Sequence, residues 1–257
     1  MKMRGRKKTI MGGNKTWNEM MASILVNAVY AMANMPVILI NNLLQPLSFL
    51  IVITLVSHGA LLGLAIEGAF VMTFVSAGLG LQGDLSHLKN DLKVQEMVVS
   101  SPTSAGTYLA GMAISELVYS IPTIIVLIVL ALLFLHISAI SALIITAALL
   151  LVFLVAASLG FFFATITYDV MQSWAFGGIL SILFSALTPV YYPIYYIPVP
   201  WQYLVYISPT TYAAEIVQSV SGFINISTLN FALDWIILIG MAIALLSLSI
   251  YKSRWME

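Results

Sequence analysis

Ten acidic side chains and three histidines carry most of the acid–base chemistry open to this 257-residue chain, which contains no cysteine. Two of the acids, Glu67 and Glu116, stand inside long apolar runs, while Asp169, Glu215 and Asp234 stand at the ends of such runs or between them. A carboxyl in an apolar run is a functional candidate by default, because it must be protonated, hydrogen-bonded or turned toward water. No Lys or Arg lies in any apolar run to pair with either residue. Proton binding at Glu116 is the chemistry such a position would give an ion-coupled carrier. The alternative for both is solvation near a membrane surface, the outer one for Glu67 and the cytoplasmic one for Glu116. Enzymatic constellations are missing. His58, His87 and His136 fall in separate connections, so no histidine metal site is expected. There is no G-x-S-x-G elbow and no paired-carboxylate cluster, which leaves a lipid-modifying enzyme built on Glu67 or Glu116 without a nucleophile or metal. No glycine precedes a lysine, so the G-x-x-x-x-G-K-[ST] phosphate loop is absent and any ATP must sit on another polypeptide.

The elements that position these acids follow from composition. Hydrophobic residues make up 61% of the chain and charged residues 8%, against roughly 25% charged in a soluble domain. The solvent for most of the chain must therefore be lipid, and the fold class an all-α membrane protein. A ruler of about 20 apolar residues per crossing gives spans near 36–57, 60–81, 106–135, 140–167, 173–192 and 232–251. Pro36 suits the first position of a helix, Gln82-Gly83-Asp84 marks the end of the second span, and Pro122 predicts a kink in the third. Lys2, Arg4, Arg6, Lys7, Lys8, Lys15, Lys89, Lys93, Lys252 and Arg254 all fall on one side of this six-span arrangement. The positive-inside rule places that side, with both termini and the 82–105 loop, in the cytoplasm. Glu19, Asn27 and Asn34 interrupt the first apolar stretch, so a cleaved signal peptide is not expected.

Three segments are not spans. Residues 14–34 read as an amphipathic interfacial helix, with Trp17, Met20, Met21, Ile24, Ala28 and Met32 on one face and Asn14, Asn18, Ser23 and Asn27 away from it. The 82–105 loop carries Leu85, Leu88, Leu92 and Val99 at helical spacing among Asp84, Lys89, Asp91, Lys93 and Glu96. A charged helix with one apolar edge is what docking to a soluble partner needs, whereas a plain connector needs neither the length nor the edge. The external 193–231 segment is aromatic and broken by Pro193, Pro198, Pro200 and Pro209, and Ser208-Pro209 is a helix-start signal. Two short helices that enter the outer leaflet and return are expected there. The chain thus divides into a basic amino-terminal and interfacial segment, 1–35, and a single six-span domain, 36–257.

Two stretches carry a resemblance. Glu96-Met97-Val98-Val99-Ser100-Ser101-Pro102-Thr103-Ser104 precedes the third span. Pro189-Val190-Tyr191-Tyr192-Pro193, Ile197-Pro198 and Ser208-Pro209-Thr210-Thr211-Tyr212-Ala213-Ala214-Glu215 precede the sixth. Together they resemble the permease subunits of type-2 ABC exporters, the drug, lipid and polysaccharide export group, over nearly the whole chain. The family often has an arginine shortly after the T-Y-x-x-E, where this chain has Gln218.

The resemblance implies a coupling helix at 84–101 that receives the ATPase stroke through Asp84, Leu85, Leu88, Lys89, Leu92, Lys93, Glu96, Ser101 and Pro102, with Asp169 in a smaller second contact. It implies a re-entrant motif built on Pro193, Pro198, Pro209, Thr211, Tyr212 and Glu215. Expected partners are two ATP-binding cassette subunits, a second permease subunit and membrane lipid, with no nucleic acid. No cofactor is expected on this chain, ATP and Mg belonging to the ATPase. Alternating access in the cell membrane would then move an amphipathic or lipid-linked substrate. The competing readings are the carrier using Glu116 and the membrane enzyme. The small-residue pairs Gly59/Gly63 and Gly106/Ala110 are candidates for close helix contact.

Overall fold

A computed structural model describes residues 15–30, 32, 36–90 and 105–252. Among the described residues there are nine α-helices and no strand. They are α1 (Lys15–Ile24), α2 (Pro36–Val56), α3 (Leu62–Asn90), α4 (Ala105–Phe134), α5 (Ala139–Ile166), α6 (Val170–Ala186), α7 (Val199–Val205), α8 (Pro209–Val220) and α9 (Thr228–Lys252). Val- and Ile-rich segments of this kind form helices because only the i→i−4 ladder satisfies a backbone in hydrocarbon. Four stretches are long and apolar enough to cross a membrane, namely Leu62–His87, Leu109–Phe134, Ala139–Ile166 and Thr228–Ser249. Asn42–Val56 and Val170–Ala186 are apolar but shorter.

Local chemistry sets the boundaries. The end of α2 closes as a Schellman turn: the His58 N–H donates to Leu55 O at 3.1 Å and the Gly59 N–H to Thr54 O at 2.8 Å. His58 and Gly59 both take positive φ there, 50° and 85°. Gly59 therefore serves the turn and meets no neighbouring helix. At the start of α5 the Ser138 hydroxyl accepts from the Ser141 N–H at 3.1 Å, an N-cap.

The centre of the domain is α3. Of its candidate span 78% is buried within the protein, against 22, 33 and 17% for the other three. It packs on α5, α4, α2, α6 and α8. Small residues permit this, since helices in lipid associate through close van der Waals contact. The closest crossing is between Gly78 and Gly160: a Cβ on Gly78 would lie 2.6 Å from the Ala157 nitrogen, and one on Gly160 would lie 2.8 Å from the Gly78 carbonyl oxygen.

Three sequence expectations differ from the structure in detail. The second span does not stop at Gln82-Gly83-Asp84; its helix runs on to Asn90. Polar groups end a span only when they need water, and Gln82 finds its partner inside the fold, its Nε2 donating to Ser173 O at 2.6 Å. The fifth span ends at Ala186 rather than 192. Thr188-Pro189-Val190-Tyr191 is buried but not helical, and it presses against α3 at Gly68, where an added Cβ would lie 2.6 Å from Val190 O. The amino-terminal helix turns to π geometry over Leu25–Tyr30, a change of register that brings Ala28 to full burial. Its Ser23 and Asn27 side packs on α4, where the Tyr119 hydroxyl donates to Asn27 O, while Trp17, Met21, Leu25 and Val29 stay exposed.

Candidate functional site

A polar cavity of about 600 Å³ opens between α2, α3, α4 and α6. Asn42 and Gln45 come from α2; Thr73, Ser76, Gln82 and Asp84 from α3; Glu116, Tyr119 and Ser120 from α4; Ser173, Trp174 and Ser181 from α6. The helical period explains the set: Thr73, Ser76, Gly80 and Asp84 recur every three or four residues, as do Gly177, Ser181 and the Ser173-Trp174 pair, so each helix turns one polar stripe inward. Two reciprocal bonds lock α3 to α6. Gln82 donates to Ser173 O, and the Ser173 hydroxyl donates back to Gln82 O at 3.0 Å. A third polar link joins α2 to α6, Gln45 Nε2 donating to the Ser181 hydroxyl at 2.7 Å.

Asp84 from α3 and Glu116 from α4 are the two acids on the cavity wall. Glu116 is 7% exposed and faces Gly80, where a Cβ would lie 2.8 Å from its Oε2. Glu67, also on α3, has a different setting. It is 2% exposed, neither of its carboxyl oxygens has a partner, and the unpartnered Ser221 hydroxyl faces it. Glu67 is therefore enclosed rather than solvated.

The second motif is a hydrogen-bonded knot. Ser208 caps α8 and accepts from the Thr210 N–H at 3.3 Å, with Pro209 at the first helical position. The Thr210 hydroxyl donates to Thr188 Oγ1 at 3.0 Å, and Thr211 donates to Val205 O. The Tyr212 hydroxyl donates to Tyr206 O at 2.6 Å, and the Tyr206 hydroxyl donates to Glu215 Oε1 at 3.1 Å. Burial pushes the Glu215 carboxyl above its ordinary range, against the hydrogen bonds of Tyr206 and Asp234 that pull it down. Pro193 and Pro198 start the short helices Ile194–Tyr196 and α7. Gln218 ties the two parts of the motif, its Nε2 donating to Pro189 O at 3.1 Å and Val190 O at 3.3 Å. An apolar pocket of about 790 Å³, walled by Phe184, Tyr192, Trp201 and Val205 among others, lies beside this knot.

The residues assigned to coupling are scattered. Asp84 turns into the cavity and Leu85 is buried in the core. Leu88 and Lys89 lie in the last turn of α3, and Leu92, Lys93, Glu96, Ser101 and Pro102 lie outside the described residues. Asp169 is exposed at the head of α6, with no side-chain capping bond. Sequence reasoning missed Gln82, Ser173 and Trp174 as a lining set. The available signal was the polar recurrence at Gln82, Asp84, Ser173, Gly177 and Ser181 in otherwise apolar helices.

A bundle of long apolar helices with a cavity lined by polar side chains, and no phosphate-binding loop in the sequence, defines a multi-pass membrane transport protein. A family model described as ABC-2 type transporter matches residues 19–221, and the chain belongs to that family. It is a permease, the transmembrane component of an ABC transporter, and ATP hydrolysis resides on a separate ABC subunit. No curated protein matches the sequence.

Proposed function

We propose that the chain is one permease subunit of a dimeric exporter in the cell membrane, with both termini in the cytoplasm. It moves an amphipathic or lipid-linked substrate outward by alternating access. The partner ATPase binds ATP and Mg and docks on the 84–101 segment, with Asp169 as a smaller second contact. Leu85 is committed to the core, so the docking contacts are Leu88, Lys89, Leu92, Lys93 and Glu96. Ser101 and Pro102 belong to the same proposed coupling segment, and Asp84 joins it to the cavity. The 193–231 segment closes the outer side as a re-entrant hairpin.

The observation that carries this reading is the continuity of α3 from the Gly78 crossing, past the cavity at Asp84, to Asn90. At about 1.5 Å per residue, a stroke delivered just beyond Asn90 acts roughly 9 Å from Asp84 through one unbroken helix. The matching experiment is purification of the full chain in mild detergent, native and with Leu88→Ala, Leu92→Ala and Glu96→Ala combined. Mass spectrometry then looks for a bound ATPase. Co-purification that is lost in the triple variant is the expected result. An ATPase retained in full by the variant would overturn the docking assignment.

A further inference from the structure

The cavity between α2, α3, α4 and α6 is short of donors. Gln82 is fully buried, and its Nε2 is committed to Ser173 O, which fixes the amide so that Oε1 is the free end. That oxygen has no partner and lies 3.7 Å from the position a Cβ on Gly177 would take, on the cavity wall. The Ser76 hydroxyl, also on the wall, is unpartnered. Opposite stand the carboxyl groups of Asp84 and Glu116. No Lys or Arg lines the space. Tyr119 and Trp174 also line it, and aromatic side chains attract cations.

A buried acceptor left without a donor is costly, so the occupant that suits this wall brings N–H groups and a positive charge. Resting on the reading of the chain as an export permease, we propose that the cavity binds the protonated amino group of the transported molecule. Asp84 and Glu116 supply the counter-charge, and Gln82 Oε1 accepts one of the ammonium hydrogens. A divalent metal is a poorer fit, since no group of three metal-ligating side chains occurs among the described residues. An anionic head group meets the carboxyl pair with no Lys or Arg among the lining residues to balance it. The volume, about 600 Å³, lies within the roughly 300–1,000 Å³ of small-molecule sites, leaving room for an apolar body beyond the amine.

The test uses the full chain in lipid nanodiscs with three probes of one length, hexylammonium, hexanol and hexanoate, and reads affinity by microscale thermophoresis. Hexylammonium should bind at least tenfold more tightly than the other two. Asp84→Asn and Glu116→Gln, each close in shape to the native residue, should each remove that preference and leave the hexanol signal unchanged. Equal affinity for the three probes, or an ammonium preference that survives both substitutions and so reflects lipid partition only, would overturn the proposal. ATPase co-purification, followed in the same preparations, separates the two ideas. A bound ATPase without amine selectivity removes the amine site alone, and selectivity without an ATPase removes the docking scheme alone.

Discussion

A single methyl group at Gly78 tests whether the α3–α5 crossing holds the domain together. A Cβ there would sit 2.6 Å from both Ala156 Cβ and the Ala157 nitrogen and 2.8 Å from Phe153 O. Two of these three neighbours are backbone atoms, which cannot swing aside as a side-chain tip can. Restoring the 3.4 Å at which ordinary contact begins requires the helices to part by about 0.8 Å along their closest line. Overpacking of this kind costs about 1–3 kcal/mol. Replacing Gly by Ala inside a helix returns about 0.5–1 kcal/mol. The balance for Gly78→Ala is therefore a loss of up to about 2.5 kcal/mol, centred near about 1 kcal/mol or about fivefold in the unfolding equilibrium. Gly160→Ala, whose Cβ would lie 2.8 Å from Gly78 O, should behave alike. Gly240→Ala is the control: nothing lies within 4 Å of the added carbon, so only the helical gain of about 0.5–1 kcal/mol remains. Equilibrium unfolding in mixed micelles titrated with SDS, followed by circular dichroism, measures all three. If Gly78→Ala matches the native protein, or Gly240→Ala loses as much as Gly78→Ala, the crossing does not have the role assigned to it.

Gln218→Leu should destabilise the domain by at least about 2 kcal/mol, because it strips the donor from two buried carbonyls at about 1–3 kcal/mol each; the same SDS titration reads it, and a neutral result would remove Gln218 from the knot. The proton that burial holds on Glu215 contributes stability that is complete below the ordinary value of 4.5 and is lost as the pH rises through the raised value. Thermal stability should accordingly fall as the pH rises above 4.5, with a shallower slope in Glu215→Gln, where the neighbouring Asp234, Tyr206 and Tyr212 are untouched; an unchanged slope would locate the titration elsewhere. The chain lacks cysteine, so single substitutions report topology on the native background. His58→Cys and His136→Cys should react with an impermeant maleimide from outside intact cells, and Tyr168→Cys, at a position 92% exposed, only after permeabilisation.

The apolar runs showed where helices lie because lipid leaves the backbone no alternative. The Ser208-Pro209 start was equally legible, since a capping hydroxyl followed by proline acts locally and needs no tertiary partner. The errors share one cause. Gln82-Gly83-Asp84 looked like the end of a span because the partners that satisfy Gln82 lie on α6, 91 residues away in sequence. Residues 187–192 looked like the end of the fifth span because they are apolar, but their carbonyls are satisfied by Gln218 from α8 rather than by a helical ladder. The departure of Gln218 from the family's usual arginine attracted notice in the sequence, yet its role depends on a fold-back that hydropathy does not register. Small-residue pairs suffered in the same way. Gly59 serves a turn, while the crossing falls at Gly78 and Gly160, because glycine spacing alone does not show which helix faces which.

Glu67 and Glu116 look alike in sequence, each a lone acid in an apolar run, and the fold separates them. Both sit at the edge of α3, one as part of it and the other facing it from α4. Glu67 faces the Ser221 hydroxyl and lines neither of the two cavities described above, which suits a contact between α3 and the end of α8. Glu116 lines, with Asp84, a cavity with room for a ligand. A buried charge is tolerated in a membrane domain where something can approach to neutralise it, and of the two acids only Glu116 borders such a route. Asp84 lies six residues before the end of α3, so the group that would neutralise the ligand and the helix that would carry the ATPase stroke belong to one rigid element. On the proposed docking scheme, movement of that helix would alter the distance between Asp84 and Glu116 directly, and would tie affinity in the cavity to the state of the ATPase without any further transmitting part.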